Sequence, residues 1–122
     1  MALVHAILTA GPGLPEGDLA QTLRLHGCLT AQGTLDAAMF AAAPEPWLVE
    51  RGFPDRDDWT GELVQVDDGL TGAPTAWAIR SLRGDNEPLW VMDHKLLRPG
   101  DYLTLRRPDG EQLVFRIVGV DS

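Results

Sequence analysis

Cysteine, serine and lysine are scarce in this sequence of 122 residues, and long apolar runs are missing. The single cysteine, Cys28, cannot form a disulfide within the chain, which argues against a secreted scaffold held together by disulfides. Serine occurs only at Ser81 and Ser122. A serine hydrolase needs an exposed serine beside a base, and Ser81 falls inside a predicted strand, so the sequence argues strongly against this class of enzyme.

The apolar segment at the start of the sequence ends at Gly11 and has no lysine or arginine before it. It therefore lacks the basic region of a signal peptide, and it is too short to span a bilayer. We predict a cytoplasmic protein with no membrane association. The length suits a single domain over residues 1–122, and a hydrophobic content of 44% can fill its core without a metal or a disulfide.

Negative charge is concentrated in the first two thirds of the chain. The net charge is −8, and residues 1–79 carry all of it because residues 80–122 contain equal numbers of basic and acidic side chains. Such a surface repels phosphate backbones, so nucleic acid is an unexpected partner. A basic face near aromatic residues is the alternative, interrupted by acidic side chains; its members are Lys95, Arg98, Arg106, Arg107 and Arg116.

Helical signals dominate the N-terminal half, after one predicted strand over 4–9. Asp18 is placed as an N-cap with Gln21 reaching back to it, and Gly27 can end the helix that follows. Thr34 is a plausible N-cap for an alanine-rich helix that Pro44 stops. The sequence thus predicts two or three short helices, at about residues 19–26, 35–43 and 47–51.

In the C-terminal half, the apolar pattern has the period of two that is typical of strands. The clearest pair of strands is joined by Pro-Asp-Gly at 108–110, in which proline fixes φ and the next two residues tolerate a positive φ. We therefore predict an α+β fold: a mainly antiparallel curled sheet or small β-barrel from the C-terminal half, with the N-terminal helices covering one face or one mouth. The predicted strands are 62–66, 75–82, 88–93, 101–107 and 111–120.

The sequence contains few combinations of residues that could form a catalytic or metal-binding site. Cys28 with His26 or His94 is the one candidate thiolate–imidazole pair, although a lone cysteine among apolar neighbours is usually a small buried hydrophobe. One cysteine and three scattered histidines are too few for a zinc site. The acidic loop at 55–58 lacks the glycine and the bidentate acid of a calcium loop. We predict no metal and no cofactor.

Two of the four tryptophans, Trp47 and Trp59, flank an acidic loop that contains Asp55, Asp57 and Asp58. Partly exposed tryptophans often anchor protein interfaces, so these five residues are the predicted contact surface. The leading hypothesis is a non-catalytic binding or adaptor domain of bacterial or phage origin, acting on a protein partner or through self-association. A small-molecule-binding barrel with its ligand in the mouth, and a small thiol-dependent enzyme that uses Cys28, are the alternatives.

The segment at 97–105, Leu-Arg-Pro-Gly-Asp-Tyr-Leu-Thr-Leu, is followed by Asp109-Gly110 and by Phe-Arg-Ile-Val at 115–118. This hairpin is similar to the end of phage head–tail joining proteins, which are compact barrels that act as structural adaptors. The resemblance covers about the last quarter of the chain. It implies a barrel hairpin and a structural role as a further alternative, and it transfers no functional residues.

Overall fold

The protein is described here by a computed structural model that covers residues 1–11, 13–66, 76–82, 89–93 and 96–121. Within these residues the chain forms eight strands and one short helix, α1 (Ala37–Ala42), which lies between the second strand and the third. The strands are β1 (Ala2–Ala10), β2 (Asp18–Gly27), β3 (Leu48–Gly52), β4 (Trp59–Val66), β5 (Ala76–Ser81), β6 (Trp90–Asp93), β7 (Tyr102–Arg106) and β8 (Gln112–Asp121).

Each strand pairs in antiparallel fashion with the next one along the chain, and β8 pairs back onto β1 to close a barrel. Alternate residues of each strand point inward, which gives the interior its apolar filling. The pairing of β1 with β8 leaves the sheet without an edge. The fully buried interior residues include Leu8, Leu23, Leu25, Val49, Leu63, Ile79, Leu103, Leu105, Phe115 and Ile117.

The predicted α+β fold is wrong, because the N-terminal half supplies strands in place of helices. The segment predicted as a helix over 19–26 is β2: Leu19 is 75% exposed, whereas Leu23 and Leu25 alternate into the core. Asp18 does make the predicted local contacts, since its carboxylate accepts hydrogen bonds from the Ala20 N–H (3.0 Å) and from Gln21 Nε2 (3.4 Å). Here these bonds shape the start of a strand.

Of the two other predicted helices, one is a strand and the other is shorter than predicted. Residues 48–52 form β3, which pairs with β2 and β4. A helix does follow the alanine-rich sequence, but it is only six residues long and its N-cap is Asp36, whereas Thr34 hydrogen-bonds the hydroxyl of Thr30 (2.8 Å). Pairing with strands on both sides thus overrides the local helix propensity of this half of the chain.

The prediction of a β-barrel is confirmed, and β4 to β8 lie where strands were predicted in the C-terminal half. The turn at 108–110 forms as expected: the Gly110 N–H donates to the Arg107 carbonyl (3.0 Å), and Gly110 has a φ of 91°. The predicted turns after Val66 and after Leu82 lie outside the described residues. The prediction was too narrow, since the same barrel also includes β1, which contains the strand predicted over 4–9, together with β2 and β3.

Helix α1 depends on its N-cap for local stability, because none of its own residues is fully buried. The Asp36 carboxylate accepts a hydrogen bond from the Met39 N–H at 3.1 Å. We expect Asp36→Ala to lower the free energy of unfolding by about 1 kcal/mol, as measured by urea denaturation. Asp36→Asn, which can still cap, should stay close to wild type; equal stability of wild type and Asp36→Ala would contradict the capping role.

Candidate functional site: a cavity at one mouth of the barrel

The two ends of the barrel differ in what fills them. Because consecutive strands alternate in direction, the β1–β2, β3–β4 and β7–β8 connections lie at one end, which we call the open mouth. The β2–β3 connection, which carries α1, lies at the other, which we call the closed end. Side chains fill the closed end, and the open mouth contains a cavity.

Three aromatic side chains fill the closed end. Phe40 of α1 meets Trp47 edge-on with ring centroids 5.1 Å apart, and it meets Trp77 in the same way at 5.0 Å. Trp47 and Trp77 stack at 6.3 Å with an interplanar angle of 13°. Trp47 is only 1% exposed. Such offset and edge-to-face arrangements are the favourable ones for aromatic pairs, so this cluster attaches α1 to the end of the barrel.

The open mouth contains a cavity of about 380 Å³. This volume lies within the ~300–1,000 Å³ typical of pockets for small molecules. Three connections contribute to its wall, and the inward side chains at the ends of the strands form its floor. The lining residues are Leu8, Gly11, Leu14, Gln21, Arg51, Phe53, Arg56, Asp57, Trp59, Trp90, Arg107, Glu111 and Leu113.

Arg51 is the most deeply placed charge of the open mouth. It occupies an inward position near the end of β3 and is 9% exposed. Its Nη2 donates a hydrogen bond to Gln21 Oε1 (3.1 Å), and its guanidinium carbon lies 4.6 Å from the Phe53 ring centroid and 5.5 Å from that of Phe115. The hydrogen bond and the ring faces offset part of the cost of taking this cation out of water.

Two further arginines at the open mouth also lie over aromatic rings. The guanidinium of Arg56 is 3.9 Å from the Phe53 ring centroid, and that of Arg107 is 4.2 Å from the ring centroid of Trp90. Arg107 is also 3.7 Å from a carboxylate oxygen of Glu111. The open mouth therefore combines guanidinium groups with an apolar, aromatic floor, in a protein whose net charge is negative.

The predicted thiolate–imidazole pair finds no geometric support at His26. That imidazole faces Glu50, with 3.0 Å between Nε2 and Oε1, and Arg24 contacts the same carboxylate at 3.1 Å. Cys28 is half-buried and packs against the core, as expected for a small hydrophobe. His94 lies outside the described residues, so a pair of Cys28 with His94 stays a prediction.

The predicted contact surface does not form on the tryptophans, because both are buried: Trp47 is 1% exposed and Trp59 is 8% exposed. They also lie at opposite ends of the barrel, since Trp47 belongs to the closed end and Trp59 lines the open mouth. The acidic side chains between them, Asp55, Asp57 and Asp58, are exposed. The structure thus brings Trp59 and Asp57 together at the cavity and places Trp47 away from it.

Sequence reasoning missed Arg51, Gln21 and Phe53 as members of a site, and it placed Arg107 only on the alternative face for nucleic acid. The available signal was the alternation of Arg51 with Val49, which places an arginine on the inward side once residues 48–52 are recognised as a strand. Among the described residues, no group of three His, Cys, Asp or Glu side chains has the arrangement of a metal site. Over the same residues, no helix is long and apolar enough to cross a membrane.

A comparison with known protein families finds no match, and comparisons with curated proteins and with solved structures find no significant similarity. The resemblance of the last quarter of the chain to phage head–tail joining proteins therefore gains no support. The function has to be argued from the open mouth itself.

Proposed function

We propose that the protein is a small-molecule-binding barrel that takes one small organic ligand into the open mouth. The observation that carries this proposal is the asymmetry of the barrel: an aromatic cluster fills the closed end, whereas about 380 Å³ stays open at the other. An eight-stranded barrel is just wide enough either to be filled by its own side chains or to hold one small ligand.

The lining of the open mouth suits recognition of an organic molecule. Trp59, Trp90 and Leu113 offer apolar surface at the floor of the cavity, and all three are largely buried before any ligand binds. Six of the thirteen lining residues are polar or charged, and such groups can fix the orientation of a bound organic molecule. A preformed floor reduces the ordering cost of binding, which favours affinity.

A protein-binding adaptor has less support than this ligand-binding function. The adaptor hypothesis depended on exposed indoles at Trp47 and Trp59, and both indoles are buried. The exposed carboxylates of Asp55 and Asp58 are a solvated charge run, which is common on soluble proteins. The ligand-binding alternative therefore replaces the adaptor as the leading hypothesis.

Blocking the open mouth with a larger side chain should weaken binding. Leu14 is half-buried and lines the cavity from the β1–β2 connection, so the larger indole of Leu14→Trp should occupy ligand space. We expect 2-naphthylacetate or 2-naphthylacetamide to bind the wild type in isothermal titration calorimetry, and Leu14→Trp to weaken binding by about tenfold or more.

Leu19→Trp is the matched control for this experiment, because Leu19 is exposed on the outside of the barrel only five positions along the chain. It should bind the probes as the wild type does. If neither of these probes nor 2-naphthyl phosphate binds the wild type, or if the two variants lose affinity equally, there is no ligand site at the open mouth.

A further inference from the structure

Guanidinium groups outnumber carboxylates around the cavity, although the protein as a whole is acidic. Arg51, Arg56 and Arg107 line the open mouth with Asp57 and Glu111, so its ionisable lining is net positive while the chain carries a charge of −8. At physiological ionic strength, exposed charges are screened over about 8 Å. The three arginines and two carboxylates of the lining, and not the net charge of the whole chain, therefore set most of the potential inside the cavity.

Each of these three guanidinium groups lies over an aromatic ring. Phe53 lies under both Arg51 and Arg56, at 4.6 Å and 3.9 Å, and Trp90 lies under Arg107 at 4.2 Å. Stacking on a ring engages the face of a guanidinium, whereas its N–H donors lie in the plane at its edge. An arginine held in this way is preorganised to bind a carboxylate or phosphate through two parallel hydrogen bonds.

The burial of Arg51 adds a second reason to expect a negative ligand. Arg51 is 9% exposed and keeps its hydrogen bond to Gln21, and a pocket for a neutral ligand could have used an apolar residue at this inward position. The position continues the inward row of β3 after Val49, so the arginine directs positive charge toward the cavity. An oxyanion bound there would be attracted in surroundings of low dielectric constant.

We propose that the ligand of the open mouth is an organic oxyanion with an apolar body, an inference that rests on the ligand-binding function above. Its carboxylate or phosphate is held by the guanidinium groups of Arg51 and Arg107, with Arg56 at the rim. Its apolar body lies against Leu14, Trp59 and Leu113. The site thus selects for negative charge and for an apolar or aromatic ring in the same molecule.

Three probes that share one ring system separate charge from shape. They are 2-naphthylacetate, 2-naphthyl phosphate and the neutral 2-naphthylacetamide, each titrated into the full chain by calorimetry. We expect at least one anion to bind about tenfold or more tightly than the amide, because hydrogen bonds to charged groups are stronger than neutral ones. A preference between acetate and phosphate identifies the kind of oxyanion.

Arg107→Gln should remove most of this preference, lowering affinity for the favoured anion by about tenfold while changing affinity for the amide by less than threefold. Arg56→Gln is a second variant with a smaller expected loss, since Arg56 lies at the exposed rim. The matched control is Arg116→Gln, because Arg116 is exposed on the outer side of β8 and the substitution removes the same charge.

Equal affinities of the wild type for the anions and the amide would overturn the inference and leave the ligand-binding function standing. Equal losses in Arg107→Gln and Arg116→Gln would also overturn it, since the effect would then come from net charge alone. If none of the three probes binds, the proposed function fails together with the inference.

Discussion

Replacing Trp47 with alanine is expected to lower the free energy of unfolding by about 3–5 kcal/mol, the range for loss of a large aromatic side chain from a core. Trp47 is 1% exposed and contacts both Phe40 and Trp77 through its ring. Truncation would leave a cavity between α1 and the end of the barrel. Phe40 is the residue of the helix that packs against the core, and it would lose one of its two ring partners, so the helix should detach.

Urea denaturation and protection of the α1 amides from hydrogen exchange would measure the two effects. Trp47→Phe is the control, because it keeps a ring in contact with Phe40 and Trp77. Its loss should be smaller, about 1–2 kcal/mol, and no hydrogen bond is lost, since the buried Nε1 of Trp47 has no partner among the described residues. A cost below 1 kcal/mol for Trp47→Ala would contradict the proposed plug.

Gly61→Val should lower the free energy of unfolding by about 3 kcal/mol or more, at the upper end of what overpacking costs. A Cβ atom at Gly61 would lie 2.6 Å from Trp59 Cη2 and 2.8 Å from the carbonyl oxygen of Arg80. It would also lie 2.8 Å from Ile79 Cγ2. The backbone oxygen belongs to the paired strand β5, so it cannot move without breaking the ladder between β4 and β5.

Gly119→Val is the matched control, because Gly119 is also a strand residue and no atom lies within 4 Å of the position that its Cβ would take. Thermal unfolding followed by circular dichroism should show a large loss for Gly61→Val and little change for Gly119→Val. Similar values for the two would show that Trp59 does not need the space at Gly61. The fluorescence of Trp59 should shift as well, since displacement brings its indole closer to solvent.

The part of the fold that the sequence predicts best is the part in which local pattern and long-range pairing agree. In β7 and β8, alternation of Leu103 and Leu105, and of Leu113, Phe115 and Ile117, coincides with a turn whose residues suit its geometry. The hairpin is therefore visible without knowledge of the rest of the chain.

The helix predicted at 19–26 shows why the first half was misassigned. Asp18 and Gln21 do interact, although through their side chains and not through the backbone N–H groups of a capping box, and Leu19 and Leu23 have helical spacing. The competing pair, Leu23 and Leu25, has the spacing of a strand, and both of these residues are buried. What decides between the two is pairing with β1 on one side and β3 on the other, which no local pattern contains.

The candidate site was missed for the same reason. Arg51 looks like a surface charge when residues 47–51 are taken as a helical turn, and it becomes an inward residue only in a strand. The cavity also joins residues that are far apart in the sequence, such as Leu8 and Leu113. Their proximity follows from closure of the barrel, so it could not be inferred from the sequence of either segment alone.

The closing seam between β1 and β8 has a consequence for the order of folding. Leu3 pairs with Asp121 and Val4 pairs with Val120. Of the eight strands, β1 is synthesised first and therefore has only one of its two neighbours until β8, the last, has been made. Until then the exposed backbone of β1 is a template for pairing with other chains. Contacts so distant in sequence close slowly, and nascent or truncated chains should be the species most prone to aggregate.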